Sequence, residues 1–154
     1  MSTRAAQIAA ACSLCAALTM ASEGLVKIAR PDPVGIPTAC YGHTAGVVNG
    51  EARSAEACLQ LLHKDLLEHG TAADGCIRVS IPLKARAAFT DFAFNAGVGA
   101  FCHSTLNRKL NAGDLAGACA ELSRWVYAGG KPLPGLVERR ATERAWCEAG
   151  LAGR

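Results

Sequence analysis

The eighteen residues from Ala5 to Ser22 carry no charge; Arg4 introduces them and Glu23 closes them. No other segment restricts the fold as strongly, because such a run must be covered by protein or lie in lipid. As a helix rising about 1.5 Å per residue it spans about 27 Å, just short of a hydrocarbon core of about 30 Å. Its apolarity is modest. Alanine dominates, Gln7, Ser13, Thr19 and Ser22 interrupt, and Ile8, Leu14, Leu18 and Met20 are its only large aliphatic or thioether side chains. Three readings fit: a buried helix of a domain, a cleavable signal peptide, or a weakly held membrane anchor.

The remaining chain reads as one domain in two lobes. A length of 154 residues suits a single core, and 51% hydrophobic against 19% charged residues excludes a disordered chain. Arg30-Pro-Asp-Pro-Val-Gly-Ile-Pro-Thr38 forbids a helix, and Thr38 to Tyr41 before the Gly42-His43-Thr44 turn suggests a small β-hairpin region. Ser54 caps a helix whose apolar positions, Ala57, Cys58, Leu61, Leu62, Leu66 and Leu67, recur until Gly70, with an irregular continuation towards Cys76. Pro82 opens a second, striped by Ala85, Ala88, Phe89, Phe92 and Ala93 and stopping before Gly97 and Gly99. Short helices follow at Ser104–Leu110 and from Asp114 to about Leu122. Ala128 to Gly135 reads as a loop, and the last helix, Leu136–Ala149, turns Val137, Ala141, Ala145 and Trp146 inward. The sum is an α+β, mainly α-helical chain.

Chemistry concentrates between Glu23 and Thr44. A carboxylate ends the apolar helix (Glu23), a second sits in a Pro/Gly-constrained turn (Asp32), and a hydroxyl follows on the next extended piece (Thr38). Cleavage of a glycosidic bond needs this kit: one acid to protonate the leaving oxygen, and polar groups to control a water on the opposite face of the sugar. A glutamic acid shielded by a helix end tends to keep its proton, whereas an aspartate in a solvated turn stays ionised. By spacing alone the three residues also suit a mere helix end and turn.

The wider pattern is more specific. Glu23-Gly24, Asp32-Pro-Val-Gly35 and Thr38-Ala-Cys-Tyr-Gly-His-Thr44 resemble the catalytic segment of phage-type lysozymes, the endolysins. Phe92–Phe101, Ser104–Asn111, Arg124–Gly130 and Gly135–Arg139 look like further blocks of that family, in its order and over nearly all the chain after residue 22. The resemblance implies a lysozyme-like fold with a small β-hairpin lobe beside the cleft. It also implies hydrolysis of the β-1,4 bond between N-acetylmuramic acid and N-acetylglucosamine in peptidoglycan glycan strands, with no cofactor. Position by position, Glu23 matches the general acid, Asp32 the carboxylate that holds the nucleophilic water and offsets charge on the sugar, and Thr38 the hydroxyl that orients that water. An inverting outcome is favoured, with carboxyls separated by about 6.5–9.5 Å. Tyr41, Gly42 and Asn95 match motif positions near the cleft, and His43 and Arg139 are further substrate-binding candidates, though each also suits packing or a solvated surface. Prolines flanking Asp32 depart from the family pattern.

Two rivals stand beside this reading. A lytic transglycosylase acts on the same bond with a single acid and a ring-closing product; an inactive, membrane-tethered wall-binding module needs no acid at all. Against nucleic acid, the basic pair Arg108 and Lys109 stands alone without aromatic interleaving, and the formal charge of +3 names no partner.

Removal of the first segment at Thr19-Met-Ala21 would leave Glu23 on a frayed terminus, where an acid is neither shielded nor oriented. The segment must therefore stay attached. Arg4 on its inner flank suits an N-in, C-out insertion. The chain in this respect resembles the signal-arrest-release endolysins. That implies residues 1–22 as a signal-anchor, residues 23–154 as the catalytic domain, and a first helix contributed by the anchor after release. The expected location is the bacterial periplasm, with transient inner-membrane association through residues 5–22, as a monomer.

Eight cysteines fit an oxidising compartment. Disulfides are expected among Cys40, Cys58, Cys76, Cys102, Cys119 and Cys147, with the pairing open. Cys12 and Cys15, one helical turn apart in the anchor, are candidate regulatory thiols, able to reach Cys40 after release. Cys12-Ser-Leu-Cys15 lacks a second ligand pair, so no metal is expected.

Overall fold

The computed structural model describes residues 3–153. The chain runs α1 (Arg4–Glu23), β1 (Val26–Pro31), β2 (Pro37–Cys40), α2 (Ala55–Asp74), α3 (Leu83–Ala96), α4 (Val98–His103), α5 (Thr105–Asn111) and α6 (Leu115–Glu121). A 3-10 turn (Leu122–Arg124), β3 (Tyr127–Ala128), β4 (Lys131–Pro132) and α7 (Pro134–Ala152) complete it. It is mainly helical, with β1 and β2 as a two-stranded antiparallel sheet and β3 and β4 as a second.

Caps account for the helix starts. Thr3 accepts from the Ala6 amide to begin α1, Ser54 from Ala57 to begin α2, Ser104 from Asn107 to begin α5 and Asp114 from Gly117 to begin α6. Helix α1 stops where Gly24, at φ 72°, donates its amide back to Met20. Helix α2 continues regularly past Gly70 to Asp74.

Three elements differ from the sequence expectation. Gly97 ends α3 but also opens α4, so the glycines there mark a corner and not a loop. Gly129 and Gly130, at φ 57° and 76°, turn the supposed loop into the β3–β4 hairpin, the backbone that paired glycines favour. The inner face of α7 is only partly the expected one: Trp146 packs against both cores, but Val137 is 45% exposed and Ala141 and Ala145 are exposed, while Arg139, Arg140, Glu143 and Cys147 are buried. Hydrophobic periodicity could not find that face because ions meeting ions fill it.

Two cores result. Phe89, Phe92, Phe101, Leu106, Leu110 and Leu122 centre the larger one, among α3 to α7. Ile8, Cys15, Cys40, Leu62, Leu66 and Ala87 belong to the other, which joins α1 and the β lobe to α2 and α3. Helix α1 packs on both α2 and α3. Its approach to α2 is close: a Cβ at Gly70 would lie 2.8 Å from Cys12 Sγ and 3.1 Å from Thr90 Cγ2. All six cysteines outside α1 pair, as Cys40–Cys58, Cys76–Cys102 and Cys119–Cys147, while Cys12 and Cys15 are buried free thiols. Cys40, the expected target of an anchor thiol, is thus already bonded to Cys58.

Candidate active site

The end of α1 delivers Glu23 to the junction of two cavities. One, of about 620 Å³, is lined by Glu23, Arg30, Asp32, Thr38 and Gly42 among others. The second, of about 430 Å³, continues past Glu23 and Gly42 to His43, Asp65, His69, Phe94 and Asn95. Glu23, Asp32 and Thr38, separated in sequence, therefore share the wall of one cavity.

Each of the three is held by its local chain. Asp32 sits at the β1–β2 turn, where its Oδ1 accepts from the amides of Val34 and Ile36, both at 2.9 Å, and its own amide donates to Ile36 O. The side chain thus mimics a backbone turn and is fixed by it. Neither bond uses Oδ2, which takes no protein partner among the described residues. Thr38 donates its hydroxyl hydrogen to Ile36 O at 3.0 Å, leaving oxygen lone pairs to accept. Glu23 has a side chain 25% exposed, and its Oε1 accepts from Arg139 Nη1 at 2.6 Å.

Gly42 explains the other oxygen. At φ 79° it follows Cys40, itself at φ 58°, in a tight turn closed by paired Ala39–His43 backbone bonds. A Cβ at position 42 would come within 3.3 Å of Glu23 Oε2. Glycine meets both demands at once, positive φ and an open approach to the acid.

Behind Glu23 lies a buried ionic network that the sequence reading did not contain. Arg139, only 6% exposed, gives Nε and Nη2 to the two oxygens of Asp91 at 2.9 Å each, and Thr19 donates to the same carboxylate at 2.6 Å. Burial pushes Asp91 up, but the hydrogen bonds and charge of Arg139 outweigh it, so its carboxyl stays below the ordinary range. Burial also opposes the charge of Arg139, and bonds to Asp91 and Glu23 more than restore it. Glu143 is the converse case: burial and the neighbouring Asp91 push it up to about 9 against the pull of Arg140. It therefore holds its proton at neutrality, and its buried Oε2, which no protein donor reaches, becomes a donor towards Asp91. Arg140 bonds Glu143 Oε1, Asn95 Oδ1 and Trp125 O and covers the Phe92 ring at 4.8 Å. The available signals were a lone Asp91 inside an apolar helix stripe and charges at helical spacing in Glu138-Arg-Arg-Ala-Thr-Glu143.

The remaining candidates divide. His43 is 9% exposed and faces two acceptors, Asp65 Oδ2 at 2.7 Å and Ala45 O at 3.0 Å, so it ties the β lobe to α2 while lining the second cavity. Asn95 also lines that cavity. Tyr41 is buried in the core and lines neither cavity. Arg139 reaches the cleft only through Glu23. Phe94 is half-buried, packs against the second core and stands edge-on to His69 at the cavity wall. Among the described residues no three His, Cys, Asp or Glu side chains converge as a metal site.

Residues 20–143 match the family model described as Phage lysozyme. Over 126 residues, 81% of this chain and 75% of the relative, the chain is 45% identical to the SAR-endolysin of Bacteriophage PS119. Its fold is similar to the muramidase domain of SpmX from Asticaccaulis excentricus, with a TM-score of 0.81 at 29% identity over 87% of this chain and 94% of that one. It also resembles the active form of P1 phage endolysin Lyz, with a TM-score of 0.79 at 26% identity over 88% of this chain and 83% of that one. Against the secreted inactive form of Lyz the TM-score is 0.54, over 70% of this chain and 76% of that one.

Proposed function

Since this chain belongs to the phage lysozyme family, we propose that it cuts glycan strands with Glu23, Asp32 and Thr38. The protein is a lysozyme-type endolysin, hydrolysing the β-1,4 bond between N-acetylmuramic acid and N-acetylglucosamine in peptidoglycan and so lysing the host cell. The observation that carries the assignment of residues is their common cavity of about 620 Å³, which all three line.

The chemistry follows from the oxygens. With Oε1 of Glu23 engaged by Arg139, Oε2 beside Gly42 is the oxygen free to carry the proton to the leaving group. In the same cavity a water can donate one hydrogen to Oδ2 of Asp32 and the other to Oγ1 of Thr38, and the lone pair of that water then attacks the anomeric carbon. Attack from the face opposite the leaving oxygen inverts the configuration, and Asp32 offsets positive charge as the oxocarbenium-like transition state develops. Two groups devoted to a water favour hydrolysis over the ring-closing transglycosylase reaction. Glu23→Gln should abolish turbidity loss on purified peptidoglycan while the protein still folds and melts cooperatively. Retained activity would overturn the role of Glu23, and 1,6-anhydro ends among the wild-type products would overturn hydrolysis.

The location reading rests on α1. Among the described residues it is the one helix long and apolar enough to cross a membrane, and its SAR-endolysin relatives favour a membrane-tethered periplasmic enzyme. Docked against α2 and α3 it is the first helix of the fold, and likeness to the active rather than the inactive form of Lyz supports this arrangement as the working state. Withdrawn into lipid, α1 would take Thr19 and Glu23 away from Asp91 and Arg139. Gln7 and Ser13 are exposed, so Gln7→Leu/Ser13→Leu raises apolarity without touching the core. Stronger retention in the membrane fraction and delayed lysis are expected, and unchanged release would overturn weak anchoring.

A further inference from the structure

Large apolar side chains are exposed unevenly. Leu59, Leu67 and Leu83 are dispersed along α2 and α3, and Tyr127, Leu133 and Val137 flank the β3–β4 hairpin, but the largest group, Leu25, Ile28, Val34, Ile36 and Val48, belongs to the β lobe. Ile28 is 63% exposed and Val48 67%, and their neighbours Ala29 and Val47 are buried, so both point outward. The chain at Gly50–Ala52 lies beside β1: Ala29 exchanges backbone bonds with Glu51 and Gly50, and Ile28 is bridged to Ala52. Ile28 and Val48 line neither active-site cavity, so contact with the glycan does not account for them.

We propose that this outer face of the β lobe, carrying Leu25, Lys27, Ile28 and Val48, is an interfacial surface that lies on an anionic phospholipid bilayer. Its charge suits that partner. Lys27 and Arg30 are exposed beside the apolar residues, while Glu51 is paired with Arg53 at 2.9 Å and Asp32 is engaged by two amides. Aliphatic side chains entering the headgroup boundary, with cations meeting lipid phosphates, form the usual pattern of interfacial attachment.

Chain length favours the same occupant. The position of the face rests on the anchor reading above, although its chemistry does not. Ile28 follows Glu23 by five residues, so with α1 in lipid it can lie no farther than about 18 Å from the helix end. A bilayer is then the surface the β lobe meets first. Cys40–Cys58 and the His43–Asp65 pair fasten the lobe to α2 without any contribution from α1.

The test uses the full chain, folded with α1 docked, and vesicles of phosphatidylethanolamine with phosphatidylglycerol or of phosphatidylcholine alone. Co-sedimentation is expected with the anionic vesicles and should be stripped by an alkaline carbonate wash. It should fall at least tenfold in Ile28→Ser/Val48→Ser and about fivefold in Lys27→Gln, the latter only on anionic vesicles. Cleavage of membrane-free peptidoglycan should be unchanged in both variants, which reports that they fold. No wild-type binding, equal binding to the two lipids, equal binding by the double variant, or wash-resistant binding would overturn the proposal. Fractionation of newly exported protein reads the anchor separately: a membrane-held chain whose folded form ignores vesicles sinks this surface alone, whereas a chain soluble from the outset sinks the anchor alone.

Discussion

Arg139 governs the electrostatics of the cleft without entering it. Its guanidinium spans Glu23 and Asp91, so the acid is aimed by a cation that is itself fixed by a buried carboxylate. Gly42 governs access to the same acid. In Gly42→Ala, the left-handed backbone costs about 1–2 kcal/mol, and the new methyl meets Glu23 Oε2 at 3.3 Å. We expect kcat to fall by about an order of magnitude or more, measured on purified peptidoglycan beside a thermal melt. Glu143 sets the pH response. Folded, it keeps its proton to about 9; unfolded, it loses it near its ordinary 4.5. Between those values the folded state binds more protons, so stability falls as pH rises, by at most about 1.4 kcal/mol per pH unit, and levels off on either side. Asp91, depressed, adds the opposite slope: its stabilisation is present above the ordinary 3.8 and is lost as pH falls below it. Glu143→Gln keeps a donor towards Asp91 but cannot titrate. Melting temperatures of this variant should vary less than those of wild type across the window from 4.5 to about 9, and equal slopes would show that Glu143 is not the group responsible.

Helix α1 divides its residues between two faces. Ile8, Cys12, Cys15, Leu18 and Thr19 face the protein, while Gln7, Ala9, Ala10, Ser13 and Ala17 face out, a surface that both water and lipid tolerate. Its fit depends on Gly70 of α2. An alanine there gains about 1 kcal/mol of helix propensity but overpacks at a cost of about 1–3 kcal/mol, because 2.8 Å from Cys12 Sγ is closer than a real Cβ lies to a neighbour. Gly70→Ala should therefore lower the melting temperature, and adding Cys12→Ala should recover part of the loss; additive effects would show that the two helices do not meet there. Helix α7 teaches a complementary point. Its spacing offered Val137, Ala141, Ala145 and Trp146 as the inner face; only Trp146 packs inward, and the protein buries Arg139, Arg140 and Glu143, since Asp91 and Asn95 of α3 wait opposite them.

Across the molecule, three disulfides close loops of 18, 26 and 28 residues. Chain entropy assigns each about 3–4 kcal/mol, together comparable to the whole stability of a domain, about 5–15 kcal/mol. Reduction should thus lower the melting temperature sharply. Burial pushes the Cys12 thiol up to about 11 and raises Cys15 further, so the folded oxidised protein should resist thiol reagents that label two cysteines once it is unfolded. Rapid labelling of the folded chain would mean that α1 leaves its site readily.

The sequence by itself determined the helices that have caps, the turn that prolines and glycine impose around Asp32, and a family resemblance specific enough to single out Glu23, Asp32 and Thr38. Local stereochemistry specifies the caps and the turn, and the resemblance, carried by motif blocks along the chain, names Glu23, Asp32 and Thr38 as candidates that spacing alone would not. Tertiary structure alone decided the disulfide pairing, the burial of Tyr41, the face of α7 and the network joining Thr19, Asp91, Arg139 and Glu143 to the acid. A buried ion is tolerable only where a partner from another helix meets it, and nothing in the period of one helix records what stands on the next.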